Sequence, residues 1–248
     1  MNTFNLYQNL SQRHPGSVVF TSSYLTPLPL DRHSTIADLG CGYGGRATWV
    51  ARSRCCSMHL FDTSTDHLDS AFARAEEGGS ESLMTLHHVA AGDYGQLDVP
   101  ASSYDLLITE GLGFELDTLS YVERWSKWVK PGGAIAVTVP GLTNQQVNPE
   151  VVAPLNEARG VPLATLDHYH EQIAALSGVK LVHQVTLAQH SWDEHYQNLG
   201  RCLLSLIKTG EASQAHESIQ KAQAELDWYR SLARGHIFLQ AFVLTVES

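Results

Sequence analysis

Basic side chains are scarce in this sequence. Lys and Arg together number 16 among 248 residues, against 26 Asp and Glu, and the formal net charge is −10. Because nucleic-acid backbones are bound by clustered Lys and Arg, this balance argues against a nucleic acid as partner. The densest basic group, Arg46, Arg52 and Arg54, is too small to change that expectation.

Cysteines and long apolar runs are also few. No apolar stretch reaches the roughly 18 residues that a membrane helix needs. The first residues, Met1 to Asn5, lack the basic start and apolar stretch that are typical of a secretory signal. The 4 cysteines, two of them adjacent, suit neither a disulfide framework nor paired zinc ligands. We therefore predict a cytoplasmic protein with free thiols and no membrane partner.

The apolar pattern indicates an α/β fold in one large domain. With 43% hydrophobic residues the chain has enough apolar side chains for a sizeable core. Short apolar runs alternate with stretches of helical period, which favours βαβ units and a parallel sheet. The predicted strands are 35–39, 57–62, 86–91, 104–109, 134–139, 179–187 and 237–246. The predicted helices are 46–52, 68–75, 117–129, 166–176, 191–207 and 213–233, with 140–165 as a loop containing short helical pieces.

A glycine-rich turn, Asp38-Leu39-Gly40-Cys41-Gly42-Tyr43-Gly44-Gly45, follows the first predicted strand. Glycines allow a tight turn and let a ligand approach the backbone, and the helix that follows offers free N–H groups. Asp62 lies 22 residues after Gly40, the spacing expected of an acid that binds ribose hydroxyls. These features indicate a nucleoside-binding domain and leave both nicotinamide and adenosyl cofactors open.

Further motifs make the chain resemble the class I S-adenosylmethionine-dependent methyltransferases over about residues 35–140. They are the glycine turn at 38–45, Phe-Asp at 61–62, AAGDY at 90–94, YDLLITEG at 104–111 and VKPGG at 129–133. RHPGS at 13–17, TEG at 109–111 and SWDEHY at 191–196 extend the resemblance to a bacterial subgroup of small-molecule methyltransferases. Residues 109–113 read TEGLG, where that subgroup has Ser-Glu-Gly followed by a small and an aromatic residue, so its substrate is not carried over.

The resemblance implies a fold and a reaction. The fold is a single doubly wound, mostly parallel seven-stranded Rossmann-like sheet, with an antiparallel last strand and a helical insertion before it. Residues 1–34 are expected to form an N-terminal cap segment, 35–140 the cofactor-binding core, and 141–165 with 190–234 a substrate-side loop and helical lid. The implied reaction transfers a methyl group from S-adenosylmethionine to an N, O or C atom of a small molecule, leaving S-adenosylhomocysteine. A monomer or homodimer is expected.

The resemblance also implies roles for individual residues in cofactor binding. Gly40 and Gly42 would pack under the cofactor, and Asp62 would accept hydrogen bonds from both ribose hydroxyls. Asp93 would accept from the adenine amino group. The full expected set is Asp38, Gly40, Cys41, Gly42, Asp62, Thr63, Gly92, Asp93, Tyr94 and Glu110. Alternative interpretations make Asp38 a cap of the turn, Asp93 a turn residue and Asp62 a solvated strand end.

Catalytic and substrate-binding residues are less defined by the sequence. A general base is needed only if the acceptor carries a proton at working pH, and Glu110, His190 and His195 are the candidates. The candidates for substrate binding are Tyr7, His14, Tyr43, Trp192 and Tyr196. Trp192 and Tyr196 either face the substrate from a lid helix or pack into the core. No H-E-x-x-H pattern occurs, and we predict no metal.

Two other functions remain open at this point. An NAD(P)-dependent oxidoreductase would use the same glycines and Asp62, but it would leave Asp38 and the KPGG turn at 130–133 without a role. A non-catalytic protein that binds an adenosyl cofactor would show the same motifs.

Overall fold

A seven-stranded sheet forms the centre of the computed structural model, which describes residues 10, 13–90, 94–209 and 216–247. The strands are β1 (Thr35–Leu39), β2 (Ser57–Asp62), β3 (Met84–His88), β4 (Tyr104–Thr109), β5 (Val129–Leu142), β6 (Val179–Thr186) and β7 (Ile237–Val246). Their order is β3-β2-β1-β4-β5-β7-β6, and β7 runs antiparallel to both of its neighbours. The predicted α/β fold with an antiparallel last strand is confirmed.

Helices cover both faces of this sheet. They are α1 (Val18–Leu25), α2 (Gly45–Arg54), α3 (Thr65–Glu77), α4 (Val122–Trp125), α5 (Pro149–Arg159), α6 (Leu166–Ala174), α7 (Gln189–Thr209) and α8 (His216–Trp228). Because alternate side chains of a strand point to opposite faces, Ile36 and Ala37 belong to two different buried clusters. As predicted, α7 and α8 are inserted between β6 and β7. None of the described helices is long and apolar enough to span a membrane.

The prediction of a single helix over residues 117–129 is wrong. The segment forms a 3-10 turn at Thr118–Tyr121, the single-turn helix α4 and a second 3-10 turn at Ser126–Trp128. Asp117 makes no side-chain cap, and the fully buried Trp125 donates its indole N–H to the Tyr94 carbonyl at 2.8 Å. This tertiary contact takes precedence over the helical period.

Other boundaries also differ from the sequence prediction, most clearly those of β5, β3 and α5. Strand β5 begins at Val129 rather than at Ala134, because Lys130 to Gly133 form a bulge between the residues that pair with Tyr104 and Leu106. Strand β3 begins two residues earlier and ends three residues earlier than expected. Helix α5 occupies part of the predicted loop, where the Asn148 side chain caps it and Pro149 starts it.

Candidate cofactor cleft and adjoining cavity

Two glycines of the turn between β1 and α2 have different structural roles. Gly42 has a φ of +54°, and a Cβ at this position would meet nothing within 4 Å, so the backbone there borders open space. Gly44 has a φ of +73°, and a Cβ there would lie 2.5 Å from Cβ of Ala71. Gly42 therefore leaves room for a ligand against the backbone, whereas Gly44 lets α2 pack closely on α3.

Asp62, at the carboxyl end of β2, is fixed beside this turn. Its Oδ2 accepts from the backbone N–H of Gly42 at 2.9 Å. Its Oδ1 accepts from the N–H of Ser64 at 3.0 Å and lies 3.0 Å from Nδ1 of His67. A carboxylate has about four lone-pair sites, so these three contacts leave one for a ribose hydroxyl. For Asp62 to accept from both ribose hydroxyls, one of its present contacts, such as that with His67, would have to break.

A buried network of charges lies under the turn. Asp38, which is fully buried, forms an ion pair with Arg46 of α2. Arg46 also donates through Nη1 to the carbonyl oxygen of Glu110 at 3.0 Å. The Glu110 carboxylate accepts from Thr21 Oγ1 at 2.7 Å and from the Tyr24 hydroxyl, so it ties α1 to the end of β4. Burial raises the pKa of Asp38 above its ordinary value, and the Arg46 charge opposes that rise.

This network suits a ligand that carries both an ammonium and a carboxylate group. Asp38 Oδ2 and Arg46 Nε are buried without a hydrogen-bond partner among the described residues. Such atoms are uncommon in folded proteins and need an explanation, for example a ligand. The methionine part of S-adenosylmethionine matches them, since its ammonium complements Asp38 and Glu110 and its carboxylate complements Arg46. Sequence reasoning missed Arg46; the available signal was a lone arginine in the first turn of the helix after the glycines.

A cleft with about 700 Å³ of empty space, counted to its open mouth, lies above these groups at the carboxyl ends of β1, β2 and β4. We call it the cofactor cleft. Seven of the predicted cofactor residues line it: Gly40, Cys41, Gly42, Asp62, Thr63, Tyr94 and Glu110. Two predicted substrate residues, His14 and Tyr43, line it as well. Asp38 does not line the cleft, but its ion-pair partner Arg46 does.

Three predicted site residues lie outside the described residues. They are Tyr7, Gly92 and Asp93. Their roles stay predictions. No group of three or more His, Cys, Asp and Glu side chains that could hold a metal ion is found among the residues that are described.

A second cavity adjoins the cofactor cleft. It has about 990 Å³ of empty space, counted to its mouth, and shares Arg13, His14 and Glu115 with the cleft. Helices α5, α7 and α8 and the turn after β4 supply its other walls. The residues that line only this cavity are Phe114, Pro154, Leu155, Ala158, Tyr196, Lys221, Ala224, Glu225 and Trp228.

The predicted lid residues of α7 divide between core and cavity. Trp192 is 1% exposed and packs in the core parallel to Tyr229, which makes it a core residue. Tyr196 is buried too, but it also lines the second cavity. The candidate bases His190 and His195 line neither space. His190 is exposed, and burial lowers the pKa of His195 to about 3.

A comparison with family models decides the class of the cofactor-binding core. Residues 36–133 match a model described as a methyltransferase domain. This segment is a methyltransferase domain. The match confirms the S-adenosylmethionine-dependent methyltransferase predicted from the sequence, and it weighs against the nicotinamide alternative. It leaves the methyl acceptor undetermined.

Solved structures share the fold over nearly the whole chain. YjhP from E. coli is 21% identical with a TM-score of 0.79, covering 98% of both chains. A methyltransferase from Thiobacillus denitrificans, in complex with S-adenosylhomocysteine, is 20% identical with a TM-score of 0.78, covering 98% of this chain and 96% of that one. One from Geobacter sulfurreducens, in complex with the same molecule, is 19% identical with a TM-score of 0.77 and the same coverage. No curated protein sequence matches the chain.

Proposed function

We propose that the methyltransferase domain binds S-adenosylmethionine in the cofactor cleft and transfers its methyl group to a small, neutral molecule in the cytoplasm. The observation that carries this proposal is the convergence of Gly42, Asp62 and Glu110, from the ends of three strands, on one cleft. Ligands of open α/β sheets bind at this edge.

Each end of the cofactor has a partner of matching chemistry in the cleft. Asp62 binds the ribose, and the open backbone at Gly42 lies against the cofactor. Glu110 and Arg46 hold the methionine part through opposite charges, and Asp38 pairs with Arg46 behind them. Asp93 remains the residue proposed for the adenine amino group.

The domain boundaries that were expected from the sequence are proposed as functional parts. Residues 1–34 form the cap, because Thr21 and Tyr24 of α1 bind Glu110 at the cleft. Residues 35–140 form the cofactor core. Residues 141–165 and 190–234 form the substrate side, since α5, α7 and α8 supply the walls of the second cavity.

The composition supports the choice of acceptor and compartment. A net charge of −10 disfavours a nucleic acid as acceptor. The 4 cysteines are all free thiols in the structure, as expected in a reducing compartment. We propose a monomer or homodimer without a membrane partner.

The protein's contribution to the reaction is mainly positional. A sulfonium activates its own methyl group, so the cofactor supplies the reactive chemistry. The chain must hold the acceptor in line with the bond that breaks, and orientation of this kind supplies on the order of 7–11 kcal/mol.

Binding calorimetry with S-adenosylmethionine, S-adenosylhomocysteine and NAD tests the assignment. The wild-type protein should bind the two adenosyl ligands and not NAD. Asp62→Ala should weaken S-adenosylhomocysteine binding by about 10- to 150-fold, the value of one hydrogen bond to a charged group. Asp69→Ala, at an exposed site on α3, is the matched control and should leave binding unchanged. Binding of NAD alone would refute the proposal.

A further inference from the structure

We propose that the second cavity binds the methyl acceptor, and that this acceptor is a flat, neutral, apolar molecule whose hydroxyl group donates to His14. The inference rests on the proposed function of the cofactor cleft, since it places the acceptor beside the methyl donor. Neither the fold nor the family assigns an acceptor.

The position of His14 connects the two spaces. His14 lines both the cofactor cleft and the second cavity. A Cβ on Gly111 would lie 3.4 Å from Cδ2 of His14, so the imidazole lies over the turn that follows Glu110. A molecule in the second cavity therefore reaches the end of β4, where the methionine part is proposed to bind, by passing His14.

The walls of the second cavity favour an apolar, flat occupant. Phe114, Leu155 and Trp228 supply aromatic and aliphatic surface. The indole N–H of Trp228 donates to the carbonyl of Val151 at 2.9 Å, so the hydrogen bond of this ring is already made with α5. The ring of Tyr196 stacks on Tyr229 at 3.9 Å, which holds it as a rigid wall. Aromatic walls of this kind bind flat apolar ligands.

The charged groups of the cavity favour a neutral occupant. Arg13 has its Nε 3.4 Å from Oε1 of Glu115, and Lys221 has its Nζ 2.8 Å from Oε1 of Glu217. Both cations therefore already have carboxylate partners, which reduces their attraction for an anionic ligand.

The contacts of His14 assign different hydrogen-bonding roles to its two ring nitrogens. Its Nε2 lies 3.5 Å from Oε1 of Glu115, and its ring stacks on Phe114 at 4.6 Å. A hydrogen bond from His14 lowers the pKa of Glu115, so this group is a carboxylate at neutral pH. In a neutral imidazole one ring nitrogen donates and the other keeps a lone pair, so with Nε2 donating to Glu115 the lone pair lies on Nδ1. The lone pair makes His14 an acceptor for an O–H group.

The same contact provides a route for the proton during transfer. The acceptor oxygen forms a bond to the methyl carbon while the S–CH₃ bond breaks, and that electron pair stays on the sulfur. The hydroxyl proton passes to His14 Nδ1 and then to solvent. The products are a methyl ether and S-adenosylhomocysteine, and no oxidant or reductant is needed.

Two probes test this inference on the protein saturated with S-adenosylhomocysteine: 2-naphthol and naphthalene, which differ by one hydroxyl group. We expect 2-naphthol to bind about fivefold to tenfold more tightly, the value of one ordinary hydrogen bond. Ala158→Trp, which fills the cavity from α5, should weaken both probes at least tenfold. Ala153→Trp, an exposed position on the same helix, is its control and should change neither.

Replacing the imidazole separates the hydroxyl contact from apolar binding. His14→Leu should remove the preference for 2-naphthol and keep the affinity for naphthalene, whereas His168→Leu, at an exposed site on α6, should keep both. With S-adenosylmethionine, the wild-type protein should convert 2-naphthol to 2-methoxynaphthalene. His14→Leu should lower kcat by about 100-fold or more, as expected for loss of a general base.

Three results would overturn the inference: probe binding that Ala158→Trp leaves intact, a hydroxyl preference that survives in His14→Leu, or a bound 2-naphthol that is not methylated. Binding of S-adenosylhomocysteine is measured in the same samples. If the wild-type protein does not bind it, the proposed function fails; if it binds and the probes behave otherwise, only the acceptor assignment fails.

Discussion

The cofactor cleft and the second cavity share a wall, but they are assembled from different parts of the chain. The cleft is made mainly by turns that directly follow β1, β2 and β4, over a buried network of charges. The second cavity is made by side chains of α5, α7 and α8, which meet only through tertiary packing. The cleft therefore depends on backbone geometry and charge, whereas the cavity depends on aromatic and aliphatic packing.

Among substitutions that distinguish the cleft from the cavity, a substitution of Arg46 is expected to have the largest effect on the free energy of unfolding. Arg46→Leu leaves the Asp38 carboxylate buried without its partner, and breaking a buried ion pair in this way costs about 3–5 kcal/mol. Urea unfolding should show that loss of free energy of unfolding. Arg52→Leu, at an exposed site on the same helix, should change it by less than about 0.5 kcal/mol. Equal stability of the two variants would show that the charge network does not hold the cleft together.

A smaller effect is expected at the glycine turn. Gly44→Ala introduces a Cβ at a φ of +73° and 2.5 Å from Cβ of Ala71, so strain and overpacking together should cost about 2–4 kcal/mol. Gly79→Ala has a similar φ of +65° with nothing within 4 Å, so it should cost only about 1 kcal/mol of strain. The thermal unfolding midpoints of the two variants measure the difference. A Gly44→Ala midpoint as high as that of Gly79→Ala would mean that the α2–α3 contact adjusts freely.

Helix α7, which supplies a wall of the second cavity, should contribute to the pH dependence of stability through its buried His195. Burial lowers the pKa of His195 from 6.5 to about 3, so below pH 6.5 the unfolded chain binds a proton that the folded chain does not. The free energy of unfolding should therefore fall as pH falls. His195 should contribute about 1 kcal/mol per pH unit between pH 6 and 5.

Two variants on α7 isolate that contribution. His195→Phe should flatten the pH dependence by about this amount, and His190→Phe, at an exposed position, should not. Urea unfolding at pH 7, 6 and 5 is the measurement. An unchanged slope in His195→Phe would indicate that the imidazole is hydrated in the folded protein.

The same contrast explains what the sequence could predict. Seven predicted cofactor residues line one cleft because each lies at or beyond the carboxyl end of a strand, and the carboxyl ends of parallel strands meet at one edge. Arg46 was missed because its inward direction depends on how α2 packs. Glu115 and Trp228 were missed because no local pattern shows that their segments, far apart in the chain, line one cavity.

Tertiary contacts also account for the remaining errors. The period at 117–129 predicted a helix, but anchoring of Trp125 to the Tyr94 carbonyl accompanies a series of short turns. Trp192 and Tyr196 lie four residues apart on α7, so the helical period places both on the same face of the helix. Only Tyr196 lines the cavity. Periodicity identifies the buried face of a helix, but it does not show which buried side chain borders a ligand site.

A crystal structure of the protein with S-adenosylhomocysteine would show whether the cofactor cleft binds the adenosyl ligand as proposed. We expect a ribose hydroxyl within hydrogen-bond distance of Asp62 and the methionine part between Glu110 and Arg46. The sulfur should then face the boundary at His14. A ligand bound in the second cavity, or one whose ribose makes no contact with Asp62, would contradict it.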